Sequence, residues 1–204
     1  EARTAIGYYE QYLEIARAIG ERRGEGNALG NLGLAHADLG DARTAIGYYE
    51  QVLEIMRAIG DRRGEGATLG NLGNAHADLG DARTAIGYYE QYLEIAREIG
   101  DRRGEGNALG NLGNAHTVLG EARTAIGYQE RALPIRQAIG DRRGEGIDRF
   151  NLAEALWTTG DRAAAIAQMA RARDLFAAIE HPSLPKAEAL LAEWRGAAAE
   201  EDGG

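Results

Sequence analysis

Residues 41–80 and 81–120 are one forty-residue text with seven differences, and residues 1–40 follow it as well, so the chain repeats with a period of 40 and no gap. A segment of that length cannot bury an apolar face alone, and stacking on the next copy is its route to a core. Within each period Gly-Asp marks every twentieth position, at Gly40-Asp41, Gly60-Asp61, Gly80-Asp81 and Gly100-Asp101, and later at Gly140-Asp141 and Gly160-Asp161. Glycine ends a helix in the left-handed conformation, and aspartate caps the next helix through its carboxylate. The spacing therefore predicts two helices per repeat.

The half that begins at Asp41 sets Ala42, Ala45, Ile46, Tyr49, Leu53, Met56 and Ile59 three and four apart, an apolar helical stripe termed helix B. The half that begins at Asp61 sets Leu69, Leu72, Ala75, His76 and Leu79 in the same way, with Gly70 and Gly73 between them, and is termed helix A. A glycine inside a helix costs about 1 kcal/mol relative to alanine, so its recurrence points to close backbone approach. Only 6% of residues are aromatic while 29 are glycine, which suits helices packed tightly on one another. Short connections make neighbours antiparallel, and a run of such hairpins stacks into an all-α solenoid.

The run Leu32-Gly33-x-x-His36, then Ala45, Tyr49 and Val52, resembles the tetratricopeptide repeat (TPR), and it recurs from Leu72 and from Leu112. The period is 40 where the family has about 34, the repeat-ending proline is absent, and His stands for Tyr. Longer helices account for the first two departures. The subtype is similar to the repeats of the Leu-Gly-Asn (Pins) adaptors, of kinesin light chains and of the C-terminal arms of bacterial signalling NTPases. The resemblance implies a right-handed superhelical solenoid of antiparallel helix pairs with a C-terminal capping helix. The expected division is an unpaired helix B at 1–20, repeats at 21–60, 61–100 and 101–140, a divergent repeat at 141–180, and a capping helix with an acidic tail at 181–204. A start without Met, partway through a repeat, is what a fragment of a longer protein shows.

The formal charge of −9 opposes a nucleic-acid partner, since phosphate binding needs clustered cations and here all basic residues but Lys186 are arginines interspersed with acids. No apolar run approaches the ~20 residues of a membrane span. Without cysteine there is neither a disulfide nor a thiolate metal site, and a cytoplasmic location is the default expectation. No nucleophile, base and orienting group stand together outside the repeating text, so neither an enzyme nor a cofactor is expected. Gly24-x-Gly26-x-x-x-Gly30 only superficially resembles a nucleotide loop, because no strand precedes it and it recurs in each repeat.

In the resembled family, helices A line the concave surface. On these helices the stripe opposite the packing face carries Asn27 and Asn31, then Asn71 and Asn74, then Asn107, Asn111 and Asn114, with Asn151 in the divergent repeat. An asparagine amide offers a donor and an acceptor, matching an extended peptide backbone. Arg63, Arg103 and Arg143 at one rim are candidates to select acidic side chains through forked hydrogen bonds. The plainer reading of these arginines is weak local ion pairing on a solvated face. Phe150 and Trp157 share a helix face and would either anchor a partner's apolar group or lie beneath the last helix. His36, His76 and His116 form a further ladder, but helices A lie on the order of 10 Å apart while an ion's ligands must come within ~2 Å of it, so packing is the better reading.

The expected function is a protein-interaction scaffold that takes a peptide or helix of a partner protein in its concave groove. The first alternative is a self-association module, a homo-oligomer built through Ile6 and Tyr9 on the N-terminal helix, which lacks an A partner. The second is a regulatory or sensor arm of a larger signalling protein.

Overall fold

The computed structural model describes residues 2–202, with side chains from 4 to 198. Among the described residues the chain is all-α, with ten helices: α1 Ala2–Ala18, α2 Arg22–Asp38, α3 Ala42–Ile59, α4 Arg62–Asp78, α5 Ala82–Glu98, α6 Arg102–Val118, α7 Ala122–Ala138, α8 Arg142–Thr159, α9 Arg162–Ala178 and α10 Leu184–Asp202. The helices fall in two compact units, residues 1–104 and 105–204.

Each Gly-Asp pair does what its chemistry predicts. Gly40 and Gly60 adopt φ of 78° and 71°, and the amides of Asp41 and Asp61 reach back to the carbonyls of His36 and Met56 at 2.9 Å, closing the preceding helix. The Asp41 carboxylate then accepts from the Thr44 amide at 3.1 Å, and that of Asp61 from the Gly64 amide at 2.9 Å. The boundary between α9 and α10 differs: Glu180, with φ of 51°, takes the left-handed position without being glycine.

In the first unit α3 packs on α2 through Leu29, Val52, Ile55 and Met56. Helix α4 packs between α3 and α5, burying Leu69, Leu72 and Ala75 against Ala45, Tyr49, Leu53 and Ile95. Leu29, Leu32, Leu69 and Leu72 are at most 1% exposed, and burial of each contributes about 1.5–3 kcal/mol. The interior glycines permit this contact: a Cβ on Gly33 would lie 2.4 Å from the Tyr49 ring, and one on Gly73 the same distance from Tyr89. Leu79, expected on the apolar stripe, is exposed, because α4 ends at Asp78 and the C-cap turns outward.

Glu25 and Glu65 are buried in the first turns of α2 and α4. Glu25 accepts from Arg17 at 2.8 Å and from Arg22, and Glu65 accepts from Arg57 at 2.8 Å and from Arg62. The hydrogen bond from Arg17, with the charges of Arg22 and Arg17, holds the Glu25 carboxyl below its usual value. At Glu65 burial acts upward, but the hydrogen bonds of Arg57 and Arg62 outweigh it and leave the carboxyl lowered.

In the second unit Phe150, Ala153, Ala165, Met169, Ala172 and Phe176 form a core that α10 closes with Ala187, Leu191 and Trp194. Trp157 stacks on Trp194 with ring centroids 4.5 Å apart, and Lys186 of α10 sits over the Phe150 ring at 4.6 Å. Phe150 and Trp157 are thus taken up beneath the last helix, which removes Phe150 from contact with a partner.

Candidate peptide-binding face

Glycine spacing along α2 and α4 turns one side of each helix onto the neighbouring helix B, which leaves the asparagine side facing outward. Between α2 and α4 of the first unit lies an open cleft of about 500 Å³ that brings together Asn27, Asn31 and Asn71, with Val52, Met56 and Gly30 among its apolar lining and Tyr12 and Asp61 at its border. A second depression, of about 210 Å³, is lined by Asn71 and Asn74 together with Leu34, Asp38, Tyr49 and Asp78. Four of the asparagines singled out from the sequence therefore border two adjoining hollows that share Asn71.

The lining is acidic. Burial pushes the Tyr49 phenol up to about 12, with Asp38 and Asp78 adding to the shift, and burial with Asp78 pushes Tyr89 up to about 12 as well. Tyr89 donates its hydroxyl proton to Asn74 Oδ1 at 2.9 Å. At the opposite end Arg23 is engaged with Asp61 at 2.8 Å. Arg63 and Arg103 are exposed at the starts of α4 and α6.

In the second unit the asparagines meet polar side chains of helix B. Asn114 Oδ1 accepts from Gln129 Nε2 at 3.0 Å and from Asn151 Nδ2 at 2.7 Å. Asn107 Oδ1 accepts from Arg136 Nη1 at 2.7 Å, and Arg136 also reaches Asp141 Oδ2 at 2.7 Å and Asp148 Oδ2 at 3.0 Å. Burial, opposed by Arg136, pushes the Asp148 carboxyl up to about 6. Asn111 is half-buried on α6, and Arg143 is exposed at the start of α8.

This buried network was not foreseen from the sequence. Its signal was present: Arg136 occupies the register of Ala16, Met56 and Ala96, Asp148 that of Ala28, Thr68 and Ala108, and Gln129 that of Tyr49 and Tyr89. Two charges entering one apolar stripe in successive helices mark a pair, because neither is tolerated alone.

The histidine ladder is engaged by tyrosines. His36, His76 and His116 sit on Tyr48, Tyr88 and Tyr128 with ring centroids 5.5, 5.3 and 5.2 Å apart, and His116 Nδ1 is 2.6 Å from Glu121 Oε2. Among the described residues no group of three or more His, Cys, Asp or Glu could hold a metal ion, and no helix is long and apolar enough to cross a membrane. On α1, Ile6 and Tyr9 are half-buried, whereas Tyr8, Tyr12 and Ile15 are exposed by 68, 42 and 59%, as is Ile19, just beyond the helix, by 71%.

Solved structures with this fold include BtubC (BKLC) from P. vanneervenii, 18% identical over all of this chain and 93% of its own, with a TM-score of 0.74. A putative kinesin light chain from Podospora anserina, described as having nearly identical TPR-like repeats, is 19% identical over 87% of this chain and 88% of its own, with a TM-score of 0.70. Aspartyl phosphate phosphatase F from Bacillus subtilis is 18% identical over 93% of this chain and 51% of its own, with a TM-score of 0.76. No curated protein sequence matches the chain. The tetratricopeptide repeat family model matches residues 1–58, 25–98 and 104–178, and with the helix pairs and their caps this places the chain in the tetratricopeptide repeat family.

Proposed function

We propose that this chain is a protein-interaction scaffold that takes a peptide of a partner protein on the asparagine face of its helices A. The observation that carries the reading is the cleft between α2 and α4, where Asn27, Asn31 and Asn71 border an apolar floor. Amides that both donate and accept suit a peptide main chain, while the floor supplies the burial that main-chain hydrogen bonds alone do not. The test is selection from a library of displayed peptides on the wild type and on Asn31→Ala/Asn71→Ala. The wild type should enrich a peptide set that the double variant binds at least about tenfold more weakly, a loss of about 1.4 kcal/mol. Equal binding by both proteins would sink the reading.

A second reading is favoured by the exposure of Tyr8, Tyr12 and Ile15 on α1, and of Ile19 just beyond its end. Residues 2–17 repeat the text of 82–97. In α5, Tyr92 and Ile95 of that text pack on the glycines of α4. In this reading α1 associates with a second copy of the chain. Sedimentation equilibrium should show growth beyond 21.9 kDa with concentration, abolished by Ile15→Glu; a monomer at all concentrations removes it.

A further inference from the structure

The contact between α4 and α5 shows what the cleft over α2 lacks. There the Tyr92 ring packs against two glycines: a Cβ on Gly70 would be 3.1 Å from it, and one on Gly66 3.3 Å. Val52 holds the register of Tyr92 in α3, and Gly30 that of Gly70 in α2. The nearest heavy atom to a Cβ on Gly30 is a Val52 methyl at 4.0 Å. Met56 fills the Gly26 side, where a Cβ would lie 2.4 Å from its terminal methyl, so the room above Gly30 opens into the cleft.

The neighbouring depression adds charge. Asp38 and Asp78 line it, both exposed, and among the described residues neither forms an ion pair. Arg23, beside the lining residue Asp61, is held by its carboxylate. A cation brought along the groove from Asn71 thus meets carboxylates without displacing an arginine.

We infer that the cleft of the first unit binds an aromatic side chain of a peptide over Gly30, where Val52 leaves room for a ring, with a basic side chain of the same peptide beside Asp38 and Asp78. This rests on the peptide-binding reading above and narrows its ligand to an aromatic and basic sequence. The ring takes the place that Tyr92 fills from within one repeat later. Asn31 and Asn71 flank it and hold the main chain on either side.

The test is a titration of the isotopically labelled chain with acetyl-Lys-Lys-Phe-Lys-Lys-amide, followed by amide resonances. Two control peptides replace Phe by Ala, or the lysines by Glu. The Phe peptide should saturate shifts at Gly30, Asn31, Val52 and Asn71, and both controls should bind at least about tenfold more weakly. V52Y should remove the preference for Phe, since tyrosine is the natural occupant of that register at Tyr12 and Tyr92 and the fold accommodates it. Gly30→Ala, whose added methyl meets only ordinary contact, gives a second way to shrink the site. Equal binding of the Phe and Ala peptides, or a Phe preference that persists in V52Y, overturns the inference but leaves the groove reading standing. Absence of shifts at these residues with all three peptides overturns the inference, whereas the groove reading falls only on equal binding of library peptides by the wild type and Asn31→Ala/Asn71→Ala.

Discussion

Nε of Arg136 donates to Oδ2 of Asp148 across 3.0 Å, with both side chains almost wholly withdrawn from solvent. Two charges thus share a core position that is apolar or small in the earlier repeats, where Met56 and Thr68 stand in the same registers. Such a pair gains its Coulomb energy against a desolvation cost of similar size, so its removal as a pair is mild and its division is not.

Arg136→Met should therefore destabilise the second unit by about 3 kcal/mol, because it strands the Asp148 carboxylate. Adding Asp148→Thr, which restores the combination that Met56 and Thr68 form in the same registers, should recover most of that loss. Urea unfolding of the two single variants and the double variant closes the cycle. Additive losses would show that the two residues are not energetically coupled.

The same carboxyl makes the second unit sensitive to pH. Asp148 is pushed up to about 6, whereas an unfolded aspartate titrates near ~3.9, so between these values the native state binds more protons. Stability of this unit should fall as pH rises from about 4 to about 6, by on the order of 2 to 3 kcal/mol, and stay lower above that. Glu25 and Glu65, held low by arginines, act with the opposite sign, and their contribution disappears as pH falls through the carboxylate range. Hydrogen exchange of α7 and α8 amides measures the slope, which Asp148→Asn should flatten.

Glycine substitutions should separate by contact. Gly33→Ala puts a methyl 2.4 Å from the Tyr49 ring and should cost about 1–3 kcal/mol through forced repacking. Gly47→Ala meets nothing within 4 Å and should stabilise by about 1 kcal/mol through helix propensity alone. Thermal melting of the two variants gives the contrast, and a shift of the same sign in both would contradict it.

Glu180 occupies a left-handed turn position that glycine fills at the other helix boundaries, such as Gly140 and Gly160. Glu180→Gly should relieve about 1 kcal/mol of backbone strain and raise the midpoint of thermal unfolding. An unchanged or lowered midpoint would show that the turn carries no such strain.

The helices were legible in the sequence because glycine and aspartate mark their ends by local chemistry, and the stripe of Ala45, Tyr49, Leu53 and Met56 fixes which side is buried. The candidate face was legible as a set of asparagines, but not as a shape. The cleft depends on Val52 replacing a tyrosine, and the size of one side chain matters only once the opposing glycine is known. The link from Arg136 to Asp148 spans a loop between helices, and periodicity says nothing of which polar intruders meet. Glu180 was hidden for a related reason: its left-handed backbone belongs to the turn geometry and not to its residue type.

The Gly-Asp junctions have one more consequence, for heredity. Excising residues 41–80 would join Gly40 to Asp81, restoring the dipeptide that was cut, and would present Gly33 with Tyr89 in place of Tyr49. Recombination between copies can therefore lengthen or shorten the array by whole repeats without writing a foreign junction. A change of one whole repeat leaves the junction and the glycine–tyrosine contact beside it as they were.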